Sequence, residues 1–590
     1  MDLTPADNTF QKLLQQLQQS NVDLDNLARS DLFKPAPRSF SLERSTRLIN
    51  ITISLRNYIW VLNLTGLTLK DILYLTPKFW KLHREPIVAL DGAAFTLLSI
   101  QTNLFVGTLG SFALKRPELQ SIIQSALDFD ISAQFMLTEV GHGLDARNLQ
   151  TTATILPNGD IDLHTPSPND AKVMPPTTPR CSLPVVAIVM ARLVSEGQDF
   201  GIRPILVQLG NGKEMCKGVV SKAGAHPVDH AVTHFSHVHL PRSALLGSME
   251  KQDKRDHFLS LIHRVAVGTL FLSACVIPSL KLVTFNAAAF SQNRVVSNAD
   301  GSPVAVIEFR TQHLPILHSV AQYSVLDAFL VSAAIIFRDH TLDPRVRHGI
   351  ATAFKAAALG HFSKSVLAMN ERCGWQGQFE HNQVLQLEAR SQLEMRGVST
   401  AEGDIRVLAI HQNIDKKFLG LVSELLIDRY QMPPPKYPNS PIARHEASVF
   451  AEARRTLQLQ AKGAHRSQQF NRNILPLALP LVEAVGHRMA YEAAMDANID
   501  PRLLALYESG VFKEDSAWYV EIGGLSREIQ REMEAQAADD LLPDLKDLLL
   551  ASGVEPYSNA PMASKAAWDT FISRLEMFSG DAPSDLLSKL

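Results

Sequence analysis

The sequence of 590 residues has few cysteines and lacks the short motifs of several common enzyme classes. Its four cysteines stand alone, without a CxxC pair, which suits a reducing compartment and argues against a disulfide framework. It contains no GxSxG elbow and no GxxxxGK[ST] loop, the motifs of serine hydrolases and of P-loop nucleotide binding. The sequence therefore excludes a disulfide-stapled secreted protein and gives no support to either of those two enzyme classes.

Charge of one sign and long apolar runs are also scarce. The 57 Lys and Arg and 60 Asp and Glu leave a net charge of −3, so no basic excess indicates nucleic acid. The longest apolar runs, Gly268–Leu280 and Ile474–Gly486, contain proline and are shorter than the roughly 20 residues that span a bilayer. The N-terminus lacks the basic and apolar regions of a signal peptide. We predict a soluble protein with no membrane span and no nucleic-acid partner.

The length predicts about three or four domains. The residue patterns change three times along the chain, from helical to strand-like and back to helical. They predict an N-terminal α domain at 1–130, a β domain at 131–250, a helical bundle at 251–430 and a second C-terminal α domain at 431–590. The predicted fold class is α+β, mainly α, with a central barrel-like β domain.

Local patterns support this division. Pro157–Asp160 is a hairpin turn signal between Thr151–Ile155 and Ile161–His164, because Asn-Gly favours tight β-turns. Pro184–Leu193 and Ile202–Leu209 are Val- and Ile-rich runs of strand length.

In the helical half, Ser324–Arg338 has an apolar face with one acid, Asp327. We expect this acid to meet a partner group or water. The run Met432–Pro438, MPPPKYP, cannot be helical and predicts a linker.

The stretch Phe135–Thr154, FMLTEVGHGLDARNLQTTAT, predicts a ligand-holding loop. Gly141 and Gly143 flank one residue, and glycine lets a backbone approach a ligand closely. Thr138 and Glu139 precede this turn, where a side chain can hydrogen-bond to a flat cofactor. The pattern nominally fits a dinucleotide fingerprint, but that motif requires a helix next, whereas a strand pattern follows. We therefore reject a Rossmann interpretation.

Five histidines crowd into a short segment of the predicted β domain: His226, His230, His234, His237 and His239. His237 and His239 would share one face of a strand, which is one way to build a metal site. Only Asp229 accompanies them, so half-exposed imidazoles are the simpler interpretation. We predict no metal site.

Glu402 follows Ser399 by three residues, and a long helical pattern begins at Ile405. Ser-x-x-Glu is a capping box, in which the glutamate bonds back to the capping residue. A carboxylate beside a glycine at a helix start can equally face a pocket as a proton acceptor. Spacing alone does not choose between the two interpretations.

The last three residues, Ser588, Lys589 and Leu590, form the tripeptide bound by the peroxisomal import receptor. This predicts a peroxisomal location.

Together, these motifs resemble those of the acyl-CoA oxidases, a branch of the acyl-CoA dehydrogenase superfamily. The loop TEVGHG with the strand QTTAT is similar to that family's flavin loop, and Ala401–Asp404, AEGD, to its catalytic EGD or EGT. Further similar segments lie in between at preserved spacing, so that the resemblance covers roughly residues 40–430: Asn103–Leu109, His237–Arg242, Phe290–Arg294, Ile307–Phe309 and Cys373–Gly377.

The resemblance implies a function and site residues. It implies an FAD-dependent enzyme that desaturates an acyl-CoA to the trans-2-enoyl-CoA and passes the electrons to O2, giving H2O2. Glu402 would be the catalytic base. Five residues would bind FAD, the last of them from the neighbouring subunit of a homodimer: Thr138, Gly141, Gly143, Thr177 and Arg294.

The chain also departs from the family pattern. Met174–Thr177 stands where the oxidases usually have Trp-Pro-Gly-Gly, and Leu144 replaces a polar residue after Gly-His-Gly. These changes predict a divergent member with altered flavin contacts. Two alternatives stay open, namely a dehydrogenase-type desaturase of a non-standard acyl thioester and a non-catalytic relative that binds acyl-CoA.

Overall fold

A computed structural model gives the fold of most of the chain. It describes residues 25–26, 65–143, 145–174, 183–210, 219–220, 230–250, 254–382, 401–403, 405–410, 425–426, 428–459 and 467–575. Leu144, Thr177, Ser399 and Ser588–Leu590, on which predictions were made above, lie outside these residues.

The first described region is helical. Its helices are α1 Leu69–Tyr74, α2 Pro77–Leu82, α3 Gly92–Ser99, a π-helix at Ile100–Val106, α4 Gly107–Ala113 and α5 Gln120–Leu127. Thr68 begins α1 with a capping box, exchanging hydrogen bonds with Asp71, and the Asp91 side chain accepts from Ala94 N at 2.9 Å to cap α3. The π-helix continues directly from α3 into α4, and such segments occur frequently at functional sites.

The described residues of the β region form two sheets. The strands are β1 Ser132–Met136, β2 Thr152–Ile155, β3 Ile161–His164, β4 Lys172–Met174, β5 Val185–Ser195, β6 Gln198–Gly210, β7 Val219–Val220, β8 His230–Thr233 and β9 Val238–Leu240. The larger sheet has the order β1-β5-β2-β3-β9 with β6 also on β5, and β4-β8-β7 form the smaller one. The predicted hairpin joins β2 to β3 antiparallel, and Gly159 takes a φ of +89° in its turn.

The long strand β5 fixes the position of the predicted ligand loop. β1 runs parallel to β5 with Met136 opposite Val189, and β2 runs parallel to the same strand with Thr152 opposite Arg192. The chain therefore leaves β5 after Met136 and returns to it almost at once. The intervening residues 137–151, here called the Gly-His-Gly loop, are anchored at both ends.

Helices form the rest of the described chain, apart from a small hairpin. They are α6 Lys254–Leu261, α7 His263–Ala274, α8 Val276–Asn293, α9 Arg310–Arg338, α10 Pro344–Arg372, α11 Ile405–Ile410, α12 Pro441–Leu459, α13 Gln468–Asn473, α14 Leu475–Asp496, α15 Pro501–Glu514, α16 Ser516–Glu521, α17 Arg527–Leu541, α18 Leu545–Ala551 and α19 Lys565–Ser573. The hairpin β10 Val295–Ser297 and β11 Pro303–Ala305 follows α8. The predicted class, mainly helical with a central β region, is confirmed.

Within the described part of the chain, three helical segments are apolar and long enough to cross a membrane by length and composition, namely Gly92–Ala113, His263–Asn293 and Arg310–Arg338. The expectation that no apolar segment is long enough was wrong, because the helices continue through polar and charged residues, such as Lys281, at which an apolar run stops. In the structure 89%, 83% and 61%, respectively, of the most apolar 18-residue stretch of each segment is buried inside the protein. They contribute to one hydrophobic core that extends from Leu67 to Met562, while a second, smaller core fills the larger sheet.

Asp327 joins the N-terminal helices to the helical bundle. Its Oδ1 accepts from Arg84 Nε at 2.9 Å and Nη2 at 2.6 Å, and its Oδ2 accepts from Lys281 Nζ at 2.9 Å. Burial alone would raise the pKa of Asp327, but the two cations outweigh it and hold the pKa below the ordinary 3.8. Asp327 therefore has two partner groups, in agreement with the expectation from the sequence.

We expect Asp327→Asn to lower the free energy of unfolding by about 2–3 kcal/mol at pH 7, because two largely buried cations lose their counter-ion. The pKa of Asp327 is lowered on folding, so its stabilising effect exists above about pH 4 and disappears as the pH falls further. Urea unfolding at pH 7 and pH 3 measures both effects. Asp539→Asn, which removes the partner of Arg310 in an exposed pair, is the control and should cost less than about 1 kcal/mol. Equal losses in the two variants would contradict the prediction.

Candidate active site

The Gly-His-Gly loop presents an exposed surface to solvent. Thr138, Gly141 and Gly143 are exposed, and Val140 is 50% exposed although it is apolar. A Cβ added at Gly143 would meet nothing within 4 Å, whereas one at Gly141 would lie 3.0 Å from Asn169 Cβ. A side chain at 141 would thus crowd Asn169, whereas Gly143 borders open space that a ligand can enter. After this turn the chain forms a three-residue 3-10 segment at Ala146–Asn148 and then β2, so the helix of a dinucleotide fold does not follow.

Glu139 supports this loop from below. Its carboxylate is buried and accepts hydrogen bonds from the backbone N–H groups of Gln150 and Thr151 and from Lys172 Nζ, at 2.9–3.0 Å. Burial raises the pKa of Glu139, but Lys172 and the two N–H groups lower it by more, so that it lies below the ordinary value. Glu139 therefore holds the two arms of the loop together.

Among the described residues, one group of side chains is close enough to hold a metal ion, namely Glu139, His142 and Asp170. His142 Nδ1 lies 2.9 Å from Glu139 Oε2 and 3.9 Å from Asp170 Oδ1. The ammonium group of Lys172 lies 2.9 Å from the other oxygen of Glu139, where it would repel a cation. The geometry thus favours a hydrogen-bonded group of side chains that fixes the loop over a metal site.

Two of the five histidines, His237 and His239, have partners that the structure identifies. His237 precedes β9, takes a φ of +50°, stacks on His164 with ring centroids 4.0 Å apart and bonds to Asp162 at 2.9 Å. His239 lies 3.5 Å from Asp160. Both side chains are more than half exposed, and His226 and Asp229 lie outside the described residues.

The turn that carries Glu402 is fixed to two helices. Lys355 of α10 donates from Nζ to the carbonyls of Ala401 and Gly403, at 2.9 and 2.7 Å. Thr269 of α7 donates from Oγ1 to the carbonyl of Glu402 at 2.8 Å. Glu402 itself takes a φ of +54°, a conformation that non-glycine residues adopt rarely. Three hydrogen bonds thus stabilise an unfavourable backbone geometry at the one predicted catalytic residue.

The carboxyl group of Glu402 lies against Gly268 in the middle of α7. A Cβ at Gly268 would fall 0.8 Å from Glu402 Oε2 and 1.9 Å from its Cδ, so only glycine leaves room for this side chain. Oε2 is buried and has no hydrogen-bond partner among the described residues. Burial raises the pKa of Glu402 to about 8, although Lys355, Arg264 and Asn103 each act to lower it.

This placement bears on the two interpretations of Glu402. Its carboxyl packs against another helix, Ser399 lies outside the described residues, and the reciprocal bond of a capping box is therefore untested. A buried carboxyl with a free oxygen and a pKa near neutrality is suited to accepting a proton. The geometry thus favours the proton acceptor.

The π-helix connects the Gly-His-Gly loop to the surroundings of Glu402. On one side, Gln101 Oε1 accepts from the backbone N–H of Ala133 in β1 at 2.9 Å. Two residues on, Asn103 Nδ2 donates to the carbonyl of Arg264 in α7 at 3.0 Å. The strand that leads into the loop and the helix that receives Glu402 thus bind the same short segment.

The other predicted cofactor residues lie elsewhere or are undescribed. Arg294 ends α8, where its backbone N–H donates to Phe290 O at 2.8 Å and its own carbonyl accepts from Val306 at 2.9 Å. Its side chain is exposed, and the neighbouring Asn293 donates to Ala563 O at 2.9 Å. No described contact brings Arg294 to the Gly-His-Gly loop of the same chain. Thr177 lies outside the described residues.

Several residues at the site were missed by sequence reasoning. Gly268 is an isolated glycine inside an apolar helical pattern, and Arg264 and Lys355 are cations within largely apolar helices. A glycine of that kind often has a packing or functional reason, and a buried cation needs polar partners. These signals existed, but the sequence does not say which carboxylate they meet.

Comparison with known proteins identifies relatives of one kind. No family model matches the chain. It is 25% identical over 341 residues to peroxisomal acyl-coenzyme A oxidase 3 of Homo sapiens, covering 52% of this chain and 47% of that protein. It is 33% identical over 179 residues to the acyl-coenzyme A oxidase of Eremothecium gossypii, covering 28% and 24%. At best, the matches to these two span about half the length of the relative.

Solved structures match over a longer range. Acyl-CoA oxidase 1 of Yarrowia lipolytica superposes with a TM-score of 0.76 at 16% identity, covering 98% of this chain and 92% of that one. Acyl-CoA oxidase-2 of Caenorhabditis elegans, solved with FAD, ascaroside-CoA and ATP, gives 0.74 at 16%, covering 96% and 91%. The chain is thus similar in sequence to acyl-CoA oxidases over about half of its length, and it shares their fold over nearly all of it.

Proposed function

We propose that the protein is an FAD-dependent acyl-CoA oxidase that converts an acyl-CoA thioester to the trans-2-enoyl-CoA and transfers the electrons to O2, forming H2O2. The observation that supports this most strongly is the buried carboxyl of Glu402, held against Gly268 with one oxygen free. Proteins of similar sequence that are named acyl-CoA oxidases, and a protein of similar fold solved with FAD and ascaroside-CoA, support the same proposal.

The residues present fit a flavin. The Gly-His-Gly loop is anchored along β5 and exposes Thr138 and the open side of Gly143, which can approach a flat cofactor without steric conflict. FAD, when bound, would serve as the acceptor of the electrons removed from the substrate. Thr138, Gly141 and Gly143 would hold it from this chain. Arg294, exposed at the end of α8, would reach it from the partner subunit of a homodimer.

Glu402 would take the proton from the carbon next to the thioester carbonyl. It must be ionised to do so, and with a pKa of about 8 only roughly a tenth of the molecules carry the carboxylate at pH 7. Its burial excludes water from the carboxyl, and Lys355 and Thr269 fix the turn that aims it. The chain thus supplies a desolvated base in one fixed orientation.

The proposed location is the peroxisome, the compartment in the names of the human relative and of a relative from Arabidopsis thaliana. The import receptor would recognise Ser588–Leu590, which lie outside the described residues.

We expect the purified protein, reconstituted with FAD, to be yellow, to bleach when an acyl-CoA is added without oxygen, and to release H2O2 on turnover in air. The visible spectrum, an anaerobic titration with saturated acyl-CoAs of increasing chain length, and a peroxidase-coupled assay measure these steps. Bleaching without peroxide in air would instead favour a dehydrogenase with another electron acceptor. Binding of acyl-CoA without any flavin spectrum would favour a non-catalytic relative and contradict the proposal.

A further inference from the structure

Arg264 of α7 is a buried cation one helical turn before Gly268. The residue is 6% exposed. Its Nε donates to the carbonyl of Asn103 and its Nη1 to the carbonyl of Ile72, each at 3.1 Å, and its guanidinium lies 5.7 Å from the ring centroid of Phe79. All of these partners are neutral. Among the described residues Arg264 forms no ion pair, so that its charge is not neutralised by direct contact.

The fold makes a specific space for this guanidinium. A Cβ at Gly107, the first residue of α4, would lie 2.3 Å from Arg264 Nε and 2.6 Å from its Cζ. A glycine therefore lies against each of the two charged side chains: Gly107 contacts Arg264, and Gly268 contacts Glu402. Arg264 Nη2, Asn103 Oδ1 and Glu402 Oε2 are all buried and lack hydrogen-bond partners among the described residues. Burying such atoms without a partner is costly.

The charged groups around Glu402 differ in what they touch. Lys355 of α10 binds the carbonyls on either side of Glu402 and so fixes the main chain of the turn. Arg264 of α7 binds no atom of that turn. These two are the charged groups that act on the Glu402 carboxyl among the described residues, and the neutral Asn103 of the π-helix acts on it as well. The charge of Arg264 can therefore act electrostatically on the Glu402 carboxyl, while Arg264 does not support the main chain of the turn.

We propose that Arg264 is a positioning residue for Glu402: its buried charge shifts the neighbouring carboxyl toward the ionised, proton-accepting form and draws it into the space left by Gly268. The catalytic meaning of this inference rests on the proposed function, whereas the coupling between the two charges does not.

The direction of the effect follows from the charges. Burial drives the Glu402 carboxyl toward the protonated form, and an opposite charge nearby favours the ionised form, by about one pH unit or more at short range. Removing the cation should thus raise the pH at which Glu402 ionises. A lysine at 264 would keep the charge but lose the fork that binds two carbonyls at once.

The test is a pH titration of the protonated-carboxyl C=O stretch of Glu402 by infrared difference spectroscopy, on the full-length protein reconstituted with FAD. The band is assigned by its loss in Glu402→Gln. We expect Arg264→Met to shift the midpoint upward by about one pH unit or more, and Arg264→Lys to shift it by less than half of that. Gly107→Ala, which displaces the guanidinium and leaves both charged residues in place, should give an intermediate upward shift.

Arg203→Met is the matched control, because Arg203 is also buried and donates to three main-chain carbonyls, those of Ile202, Ser248 and Glu250. In Arg203→Met the midpoint of the Glu402 titration should equal that of the wild type. An unchanged midpoint in Arg264→Met, or an equal shift in Arg203→Met, would overturn the inference. If Arg264→Met does not fold, the comparison of Gly107→Ala with wild type decides by the same criterion.

The pH dependence of flavin bleaching by acyl-CoA adds the functional readout. The rise of the bleaching rate with pH should move upward in Arg264→Met by the same interval as the infrared midpoint. If the wild type is not bleached by any acyl-CoA, the proposed function fails, while the infrared titration still decides whether Arg264 controls Glu402.

Discussion

Replacing Glu402 with glutamine should leave the protein yellow and slow its bleaching by acyl-CoA about 100- to 10,000-fold, the usual contribution of a general base. Glutamine keeps the volume that fits against Gly268 but cannot accept a proton. The measurement is anaerobic stopped-flow absorbance at the flavin band, with the flavin-to-protein ratio as a check on cofactor binding. A variant that bleaches at the wild-type rate would show that another residue is the base.

The pH dependence of the free energy of unfolding of the same variant checks that it is folded. The pKa of Glu402 is raised on folding from its ordinary 4.5 to about 8, so ionisation destabilises the native state progressively as the pH rises between these values. Glutamine cannot ionise. Glu402→Gln should therefore match the wild type near pH 4.5 and exceed it at pH 8 by on the order of 2–4 kcal/mol.

Gly268→Ala should reduce the bleaching rate about 100-fold, the effect expected when a catalytic group is displaced by about 1 Å. The new methyl group would occupy the position of Glu402 Oε2, 0.8 Å away, so the carboxyl must move. Alanine otherwise favours a helix over glycine, and we expect the helix to persist. The measurement is again stopped-flow bleaching, combined with circular dichroism and flavin content.

Gly360→Ala in α10 is the matched control for this substitution. Its added Cβ would lie 3.8 Å from Glu483 Oε1, an ordinary contact, so bleaching should be unchanged. The double variant Gly268→Ala with Glu402→Gln should be no slower than Glu402→Gln alone, because both changes act on one group. Additive losses, or a fully active Gly268→Ala, would contradict the placement of the carboxyl.

Patterns within short segments were predictable from the sequence. The hairpin at Pro157–Asp160 follows from local turn chemistry, and β5 and β6 follow from Val- and Ile-rich runs. Glu402 was recognised through its similarity to a family motif, since its spacing alone fitted a capping box equally well. Its predicted role and those of Thr138, Gly141, Gly143 and Arg294 stay predictions.

The sequence does not predict which residues far apart along the chain contact each other. Thr269 and Glu402 are 133 residues apart along the chain, and no spacing rule pairs an isolated glycine in an apolar helix with one carboxylate among many. The apolar helices are also longer than the apolar runs, because helical hydrogen bonding continues through polar and charged residues such as Lys281. These features depend on packing between elements, which periodicity within an element does not contain.

The π-helix at Ile100–Val106 has a mechanical consequence. Because Gln101 binds β1 and Asn103 binds α7, the sheet and the helical bundle share one rigid spacer of only three residues at this point. A hinge between the two regions would have to stretch or break that spacer. The face that would receive the cofactor and the base that would serve it are therefore linked through one helical segment by two hydrogen bonds.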